Sequence, residues 1–357
     1  MRATQQSLFV GVACILAGCG GDGTAVVGAS TTPVPSSVTP AAAGYSIAVF
    51  AKIPGTLRPD DLLVHGGNLF VVAQDNNNNP DGTNVAGTTP QSQVLEYGLD
   101  GSLVRTFNVP GHPDGIMEYD ANTVWVSTNE DADPMLIVIH TDTNTQTTLL
   151  PDAPPAHGGG LDDLKLLNGV VYAAASNPSL GPATASAPNG VSSVPALYSV
   201  TLNSDNQTFH LAPALMGNAT ANNVAQNASV SLNLTDPDSM AIDAAGDVVL
   251  DSQQDSELVF VKNPGANQVV SVLPLTLYGN AWPVDDTRWA PGGNAVMLLS
   301  DNAAQLVYRI ESTSGFAAGT AYSAGVGTVL QVNTSTGAMT PIYTGMMNPH
   351  GLIFVGQ

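Results

Sequence analysis

Short apolar runs of strand length, each closed by a turn, recur along most of this chain. Asn68-Leu69-Phe70-Val71-Val72-Ala73-Gln74, Thr123-Val124-Trp125-Val126-Ser127-Thr128, Val170-Val171-Tyr172-Ala173, Asp247-Val248-Val249-Leu250-Asp251 and Ala295-Val296-Met297-Leu298-Leu299-Ser300-Asp301 are of this kind. Runs so brief, rich in Val, Tyr and Trp and bounded by turn residues, predict strands. The turns ahead of them carry Gly66-Gly67, Gly169, Gly246 and Gly292-Gly293, which suits tight hairpins needing positive φ. A further strand is expected after each (Ser92–Tyr97, Met135–Ile139, Ala196–Val200, Glu257–Val261, Gln305–Ile310). A more variable fourth closes the unit, as in Leu103-Val104-Arg105-Thr106-Phe107.

In front of each unit stands one recurring phrase. Its copies are Pro59-Asp60-Asp61-Leu62, Pro113-Asp114-Gly115-Ile116, Leu161-Asp162-Asp163-Leu164, Pro237-Asp238-Ser239-Met240, Val284-Asp285-Asp286-Thr287 and Pro349-His350-Gly351-Leu352. Repetition at intervals of roughly 50 to 75 residues means stacked copies of one supersecondary unit. Four antiparallel strands per unit make one propeller blade. The expected fold is therefore an all-β β-propeller over residues 45–357, with six blades of four strands. Tyr45–Lys52 and Gly351–Val355 are expected to meet in one blade and close the ring. Five or seven blades stay open, because the last phrase has no second and third strand after it. Residues 311–345 meanwhile hold surplus strand-like sequence (Thr328-Val329-Leu330-Gln331-Val332). Residues 178–195 and 217–230 read as surface insertions.

The phrases Pro-Asp-Gly-Ile and Pro-His-Gly-Leu, with following strands that end in Asp or Asn, resemble the NHL and SMP-30/gluconolactonase propellers. The resemblance implies a metal ligand at Asp114. It sets Asp162 and Asp238 at places where that family uses Asn or Asp. The chain departs from the pattern in lacking a recognisable N-terminal glutamate ligand and in its excess of aspartates.

Composition fits this reading. Apolar residues make up 43% and charged residues 10%, enough for a large core. Eight basic against 29 acidic residues give a net charge of −21, which repels nucleic-acid phosphates and favours cations.

The N-terminus changes the picture of location. Arg2 precedes the apolar stretch from Leu8 to Ala17, too short to span a bilayer, which runs into Leu16-Ala17-Gly18-Cys19. This resembles the bacterial lipoprotein signal and implies cleavage after residue 18 and lipidation of Cys19. The only other cysteine, Cys14, falls in the removed peptide. Residues 19–44, rich in Gly, Ser, Thr and Pro, are expected to form the lipidated cysteine and a flexible tether. The expected location is the bacterial cell envelope, at the outer membrane if the source is Gram-negative, since Gly20 rather than Asp follows the cysteine.

In a propeller the first strand of each blade lines the central channel. Asp60, Asp114, Asp162, Asp238, Asp285 and His350 should thus converge at one mouth. Carboxylates gathered in one hole repel each other, and a hard cation bound by oxygen, Ca²⁺ or another divalent ion, would relieve them. The alternative is that each aspartate caps its own turn. His112, His157 and His350 lie near the openings, and His112 and His350 are the candidate general bases. Asp75–Gly82 has the spacing of the first half of a calcium loop, but Thr88 stands where its glutamate belongs. The loop Asn129-Glu130-Asp131-Ala132-Asp133 reads as solvated. No motif for an organic cofactor, a nucleophilic serine or a cysteine site is present. The expected function is a membrane-anchored binding or interaction module, with an unidentified protein or small-molecule ligand and no nucleic acid. The alternative is a metal-dependent lactone hydrolase of the SMP-30/gluconolactonase kind.

Overall fold

The computed structural model describes residues 27–356 except Ala266; the signal segment and Cys19 lie outside the described residues. Every regular element among the described residues is a strand, and no helix there is long and apolar enough to cross a membrane.

Among the described residues, strand pairing resolves into six antiparallel groups of four, and the protein is a β-propeller. Blade one is Arg58–His65, Asn68–Gln74, Ser92–Gly98 and Leu103–Val109, paired in that order. Blade two is Pro113–Asp120, Thr123–Thr128, Met135–His140 and Thr145–Pro151. Leu164–Leu167, Val170–Ala174, Pro195–Leu202 and Thr208–Met216 form blade three. Blade four is Pro237–Ile242, Val248–Ser252, Glu257–Lys262 and Val269–Pro274. The second strands read as unbroken apolar runs because both their faces are covered: every residue of Thr123–Thr128 and of Val296–Asp301 is buried. Outer strands face solvent on one side, as the largely exposed Leu103–Val109 does.

Blades five and six share their chain in an unexpected way. Thr287–Trp289 is the inner strand of blade five, but the chain then crosses over and lays Val296–Asp301 and Leu306–Ser312 into blade six. It returns with Ala321–Gly325, Thr328–Val332 and Ala338–Thr344 to complete blade five. Only then does it supply the inner strand of blade six, Pro349–Val355, while Tyr45–Lys52 forms that blade's outer edge. Leu299 thus stands opposite Leu352, Thr287 opposite Ser323, and Ile47 opposite Ile310. The termini do meet in one blade. The expectation that residues 295–310 continue the blade opened by Asp285 is corrected, and the surplus sequence is that blade's own outer strands.

The crossing is fixed by contacts between its two connections. Phe316 N–H donates to Gly293 O, Gly319 N–H to Ala290 O and Ala290 N–H to Thr320 O. Gly292 and Gly293 adopt φ of 96° and 67°, and a Cβ at Gly315 would sit 2.4 Å from Gly293 O. Phe316, on the return connection, packs its ring against Tyr322 of blade five and Phe354 of blade six at 5.3 and 5.0 Å. Aromatic contacts of this kind add about 1 kcal/mol each to the area they bury.

Residues 27–44 are not the tether the composition suggested. Gly28 N–H bonds Leu99 O of blade one, Ser30 N–H bonds Val49 O of blade six, and Thr39–Pro40 pairs with the outer strand of blade five. Val27 is buried, and Val34, Val38 and Ala42 pack on the core between blades five and six. The segment is a belt across the ring's closing blades. A separate apolar core fills each seam between neighbouring blades. The hairpin of Thr220–Asn223 and Ala228–Ser231 extends the outer edge of blade four.

Candidate metal centre at the channel mouth

Inner strands touch their neighbours in cyclic order, so the residue that opens each one faces the channel. All six predicted positions, Asp60, Asp114, Asp162, Asp238, Asp285 and His350, line one cavity of about 370 Å³ at that mouth. The chain also brings side chains from the ends of the second strands and the loops after them: Gln74, Glu130, Asp131, Ser176, Gln253 and Asn302. The sequence carries their signal in the polar residues that end each apolar run. Glu130 is a correction: it belongs to the mouth rather than to a solvated loop.

A second tier lies one residue deeper and repeats every other blade. Asp61 accepts N–H bonds from Leu62 of its own blade (2.7 Å) and Ile116 of the next (3.1 Å). Asp163 does the same with Leu164 (2.5 Å) and Met240 (2.8 Å), and Asp286 accepts from Leu352 (2.8 Å). In the intervening blades this position is Gly115, Ser239 or Gly351. A Cβ on Gly115 would lie 2.5 Å from Asp163 Cα, and one on Gly351 2.8 Å from Asp61 Cα. The alternation Asp-Asp, Asp-Gly, Asp-Asp, Asp-Ser, Asp-Asp, His-Gly is thus a geometric rule: each deep aspartate needs a small neighbour. Lys165 bonds Asp163 at 2.6 Å, while Arg288 pairs with Asp286 and lies 3.6 Å from Asp61. The deep tier therefore carries its own counter-charges.

The outer tier has less compensation. On one side, His350 Nδ1 lies 3.3 Å from both Asp60 and Asp285. Burial works against its charge, but Asp285 and Asp60 outweigh burial and lift its pKa to about 10, which favours the charged ring. Gln74 donates to Asp60, and Gln253 to Asp285 at 3.0 Å. On the other side are Asp114, Glu130, Asp162 and Asp238. Burial, then the surrounding carboxylates, push Asp114, Asp162 and Asp238 well up, and Glu130 to about 8. Asp162 is the neighbour that does most to raise Asp238 after burial. Asp114 accepts from Gln74 Nε2 at 2.8 Å through Oδ1, but its buried Oδ2 has no partner among the described residues.

His112 completes that side. Its Nδ1–H donates to Asn78 O at 3.0 Å, which leaves Nε2 unprotonated, 3.7 Å from Asp114 Oδ1. Burial lowers its pKa, and the ring is neutral. Among the described residues two groups could hold an ion, with ligand atoms within 4.8 Å of one another: His112, Asp114 and Glu130, and Asp60, Asp285 and His350. The second already contains a cation in His350. The first has the orphaned carboxylate oxygen and no counter-charge, so oxygen and imidazole donors suited to a divalent ion gather there.

His157 does not join the site. It is fully buried, its Nδ1 beside Tyr198 Oη at 3.1 Å and its Nε2 between Gly160 O (2.8 Å) and Ser176 O (3.0 Å), where it pins a loop. In the Asn-rich loop, Asp75 accepts bonds from Asn77 and Gln91 N–H groups, and Asp81 from Thr83 N–H. These carboxylates tie their own turns.

The sequence matches no protein-family model and no curated protein. Solved structures similar in shape include a putative gluconolactonase (9% identity, TM-score 0.47, covering 86% of this chain and 83% of the other). A putative 6-phosphogluconolactonase from Bacteroides uniformis is 11% identical (TM-score 0.45, 81% and 85% covered). A streptogramin B lyase is 10% identical (TM-score 0.44, 83% and 72% covered).

Proposed function

We propose that this is a lipid-anchored, extracytoplasmic β-propeller that binds a divalent cation at its channel mouth and works as a ligand-binding module of the cell envelope. The observation that carries the reading is the orphaned, buried Oδ2 of Asp114 beside Glu130, Asp162 and Asp238, in a mouth where Asp131 and Asp236 add further carboxyl groups and no lysine or arginine lines the cavity. Asp114, Glu130, Asp162 and Asp238, with His112, would hold the ion; Asp60 and Asp285 are matched by His350. The ion would supply Lewis acidity and an attachment point for an oxygen-bearing ligand. The lipobox supports anchoring through Cys19, and the net charge of −21 argues against nucleic-acid partners.

A second reading, metal-dependent lactone hydrolysis, is favoured by one feature: neutral His112, its tautomer set by Asn78, has Nε2 turned to the same carboxylate. It would serve as general base, whereas His350, held as an imidazolium, would not.

Elemental analysis of the soluble domain, residues 27–357, before and after chelation tests the cation. About one equivalent of a divalent ion that Asp114→Asn removes is expected. Metal content unchanged by Asp114→Asn and Asp238→Asn would refute the site. Turnover of any lactone from a broad panel, lost in His112→Ala, would decide for hydrolysis. Acyl labelling of the full chain that persists in Cys19→Ser would refute the anchor.

A further inference from the structure

The channel mouth is more acidic than one metal ion can answer. Eight carboxyl groups line its cavity of about 370 Å³, against no lysine or arginine. Formally, one divalent ion and a charged His350 would leave five negative charges unmatched. Two of the eight belong neither to the ring of opening phrases nor to the proposed ion site. Asp131 stands in the loop after the second strand of blade two, and Asp236 immediately precedes the inner strand of blade four. Their backbones are fixed: Asp131 N–H donates to Pro80 O at 3.1 Å, and Asp236 O accepts from Gln253 N–H at 3.0 Å. The Asp131 carboxylate accepts no hydrogen bond among the described residues, and its charge acts on Asp236. The buried Oδ2 of Asp114 is unpartnered too, so the wall behind them adds to the same uncompensated field.

Beside this cavity lies another of about 240 Å³, between blades five and six. Gln253 joins the two: its backbone holds Asp236, its side chain bonds Asp285, and it lines both cavities. The second cavity has an apolar wall of Pro283, Val284 and Val326, the last 58% exposed. Among the described residues, neither Asp131 nor Asp236 belongs to a set of three donors with atoms within 4.8 Å of one another. A second metal ion, which gathers oxygens at about 2.3–2.6 Å around one point, has no cage there. An ammonium group asks less, since its three N–H bonds reach separate carboxylates at about 2.7–2.9 Å.

We propose that the mouth takes an organic cation, a primary amine on a short apolar stem. The ammonium lies between Asp131 and Asp236, and the stem runs past Gln253 to Pro283, Val284 and Val326. The inference rests on the mouth being the ligand site, and it names the class of ligand. The same field repels anionic ligands, sugar phosphates and carboxylates among them.

Isothermal titration calorimetry of the soluble domain at pH 8 in saturating Ca²⁺ tests this. The probes are n-pentylamine and cadaverine, with 1,5-pentanediol and glutarate as uncharged and anionic controls. Saturable binding of at least one amine near one equivalent is expected, at millimolar strength or better, and none of either control. It should weaken at least tenfold in the Asp131→Asn/Asp236→Asn double variant and at least threefold in Val326→Ser. Asp205→Asn, which removes a fully exposed carboxylate outside the mouth, should leave it unchanged. Elemental analysis of the same samples separates the two readings. Amine binding without metal upholds the ammonium site and refutes the metal ion, whereas metal without amine binding does the reverse. Glutarate binding, amine affinity unchanged in the double variant, or an equal loss in Asp205→Asn would overturn the proposal.

Discussion

Protons and a divalent cation should compete for the channel mouth, and the competition is measurable as stability. Glu130 has its pKa raised from 4.5 to about 8, and Asp285 from 3.8 to about 7, burial being the first cause in both. A carboxyl whose folded pKa lies above its unfolded value contributes stability that is complete below the unfolded pKa. That contribution is lost as pH rises through the folded one. For Glu130 alone, going from pH 5 to pH 8 without a cation removes about 3 kcal/mol, at 1.36 kcal/mol per pH unit. The neighbouring carboxyls add to this less than independently, because they share one field. A divalent ion at a hundred times its Kd returns about 2.7 kcal/mol. In a domain of this size each kcal/mol moves Tm by about 2 °C.

The assay is a set of four melts of residues 27–357, at pH 5 and pH 8, with chelator and with millimolar Ca²⁺. Calcium should raise Tm by about 5 °C at pH 8 and by little at pH 5, where protons already occupy the carboxyls. His157 responds to pH in the opposite sense, but it is not among the residues that line the mouth and drops out of the difference between melts with and without Ca²⁺. Equal calcium effects at both pH values, or none at pH 8 for Ca²⁺, Mg²⁺, Mn²⁺ and Zn²⁺ alike, would refute the reasoning.

The other expectations concern the frame that holds the site. Burial lowers the His157 pKa from 6.5 to about 4, so its stabilising contribution is present above 6.5 and lost as pH falls towards 4. The loss approaches about 3 kcal/mol; in saturating Ca²⁺, denaturant titrations should show it in the wild type and not in His157→Gln. Asp163→Ala removes acceptors from Leu164 and Met240 and leaves Lys165 facing a void, at a cost of about 3–5 kcal/mol by the same titrations. Gly115→Ala should destabilise through its contacts with Asp163 Cα and Oδ1 (2.5 and 2.7 Å), and pairing it with Asp163→Ala, which removes the second contact, should cost less than the sum of the two.

Most of the ring was legible because a propeller writes its geometry into repetition. Asp60, Asp114, Asp162, Asp238, Asp285 and His350 share a phrase because they share a place, and the structure puts all six around one cavity. Other parts were legible but needed geometry to decode. The alternation of Asp61, Asp163 and Asp286 with Gly115, Ser239 and Gly351 is plain in the chain, yet its meaning lies in hydrogen bonds between blades. Depth was not legible: His157 and His112 both stand near an opening, and only packing shows that one pins a loop while the other faces the mouth. Glu130 was obscured by its acidic neighbours. The crossover of blades five and six was hidden because Val296–Asp301 pairs by a strand pattern that fits any blade. The belt was hidden because Gly, Pro and Ser satisfy a tether and a surface-hugging segment equally.

That crossover has a consequence for the order in which the molecule is made. Blades one to four are each contiguous and can form as they emerge. Val296–Asp301 must wait, for its inner partner is Pro349–Val355, some fifty residues on, and Thr287–Trp289 is left without its blade partner until Ala321–Gly325 arrives. Asp285 and His350, and with them one side of the charged mouth, come together only after Pro349–Val355 has been made. A chain made from its N-terminus onward would therefore keep its acidic ring open until Pro349–Val355 is free to pair.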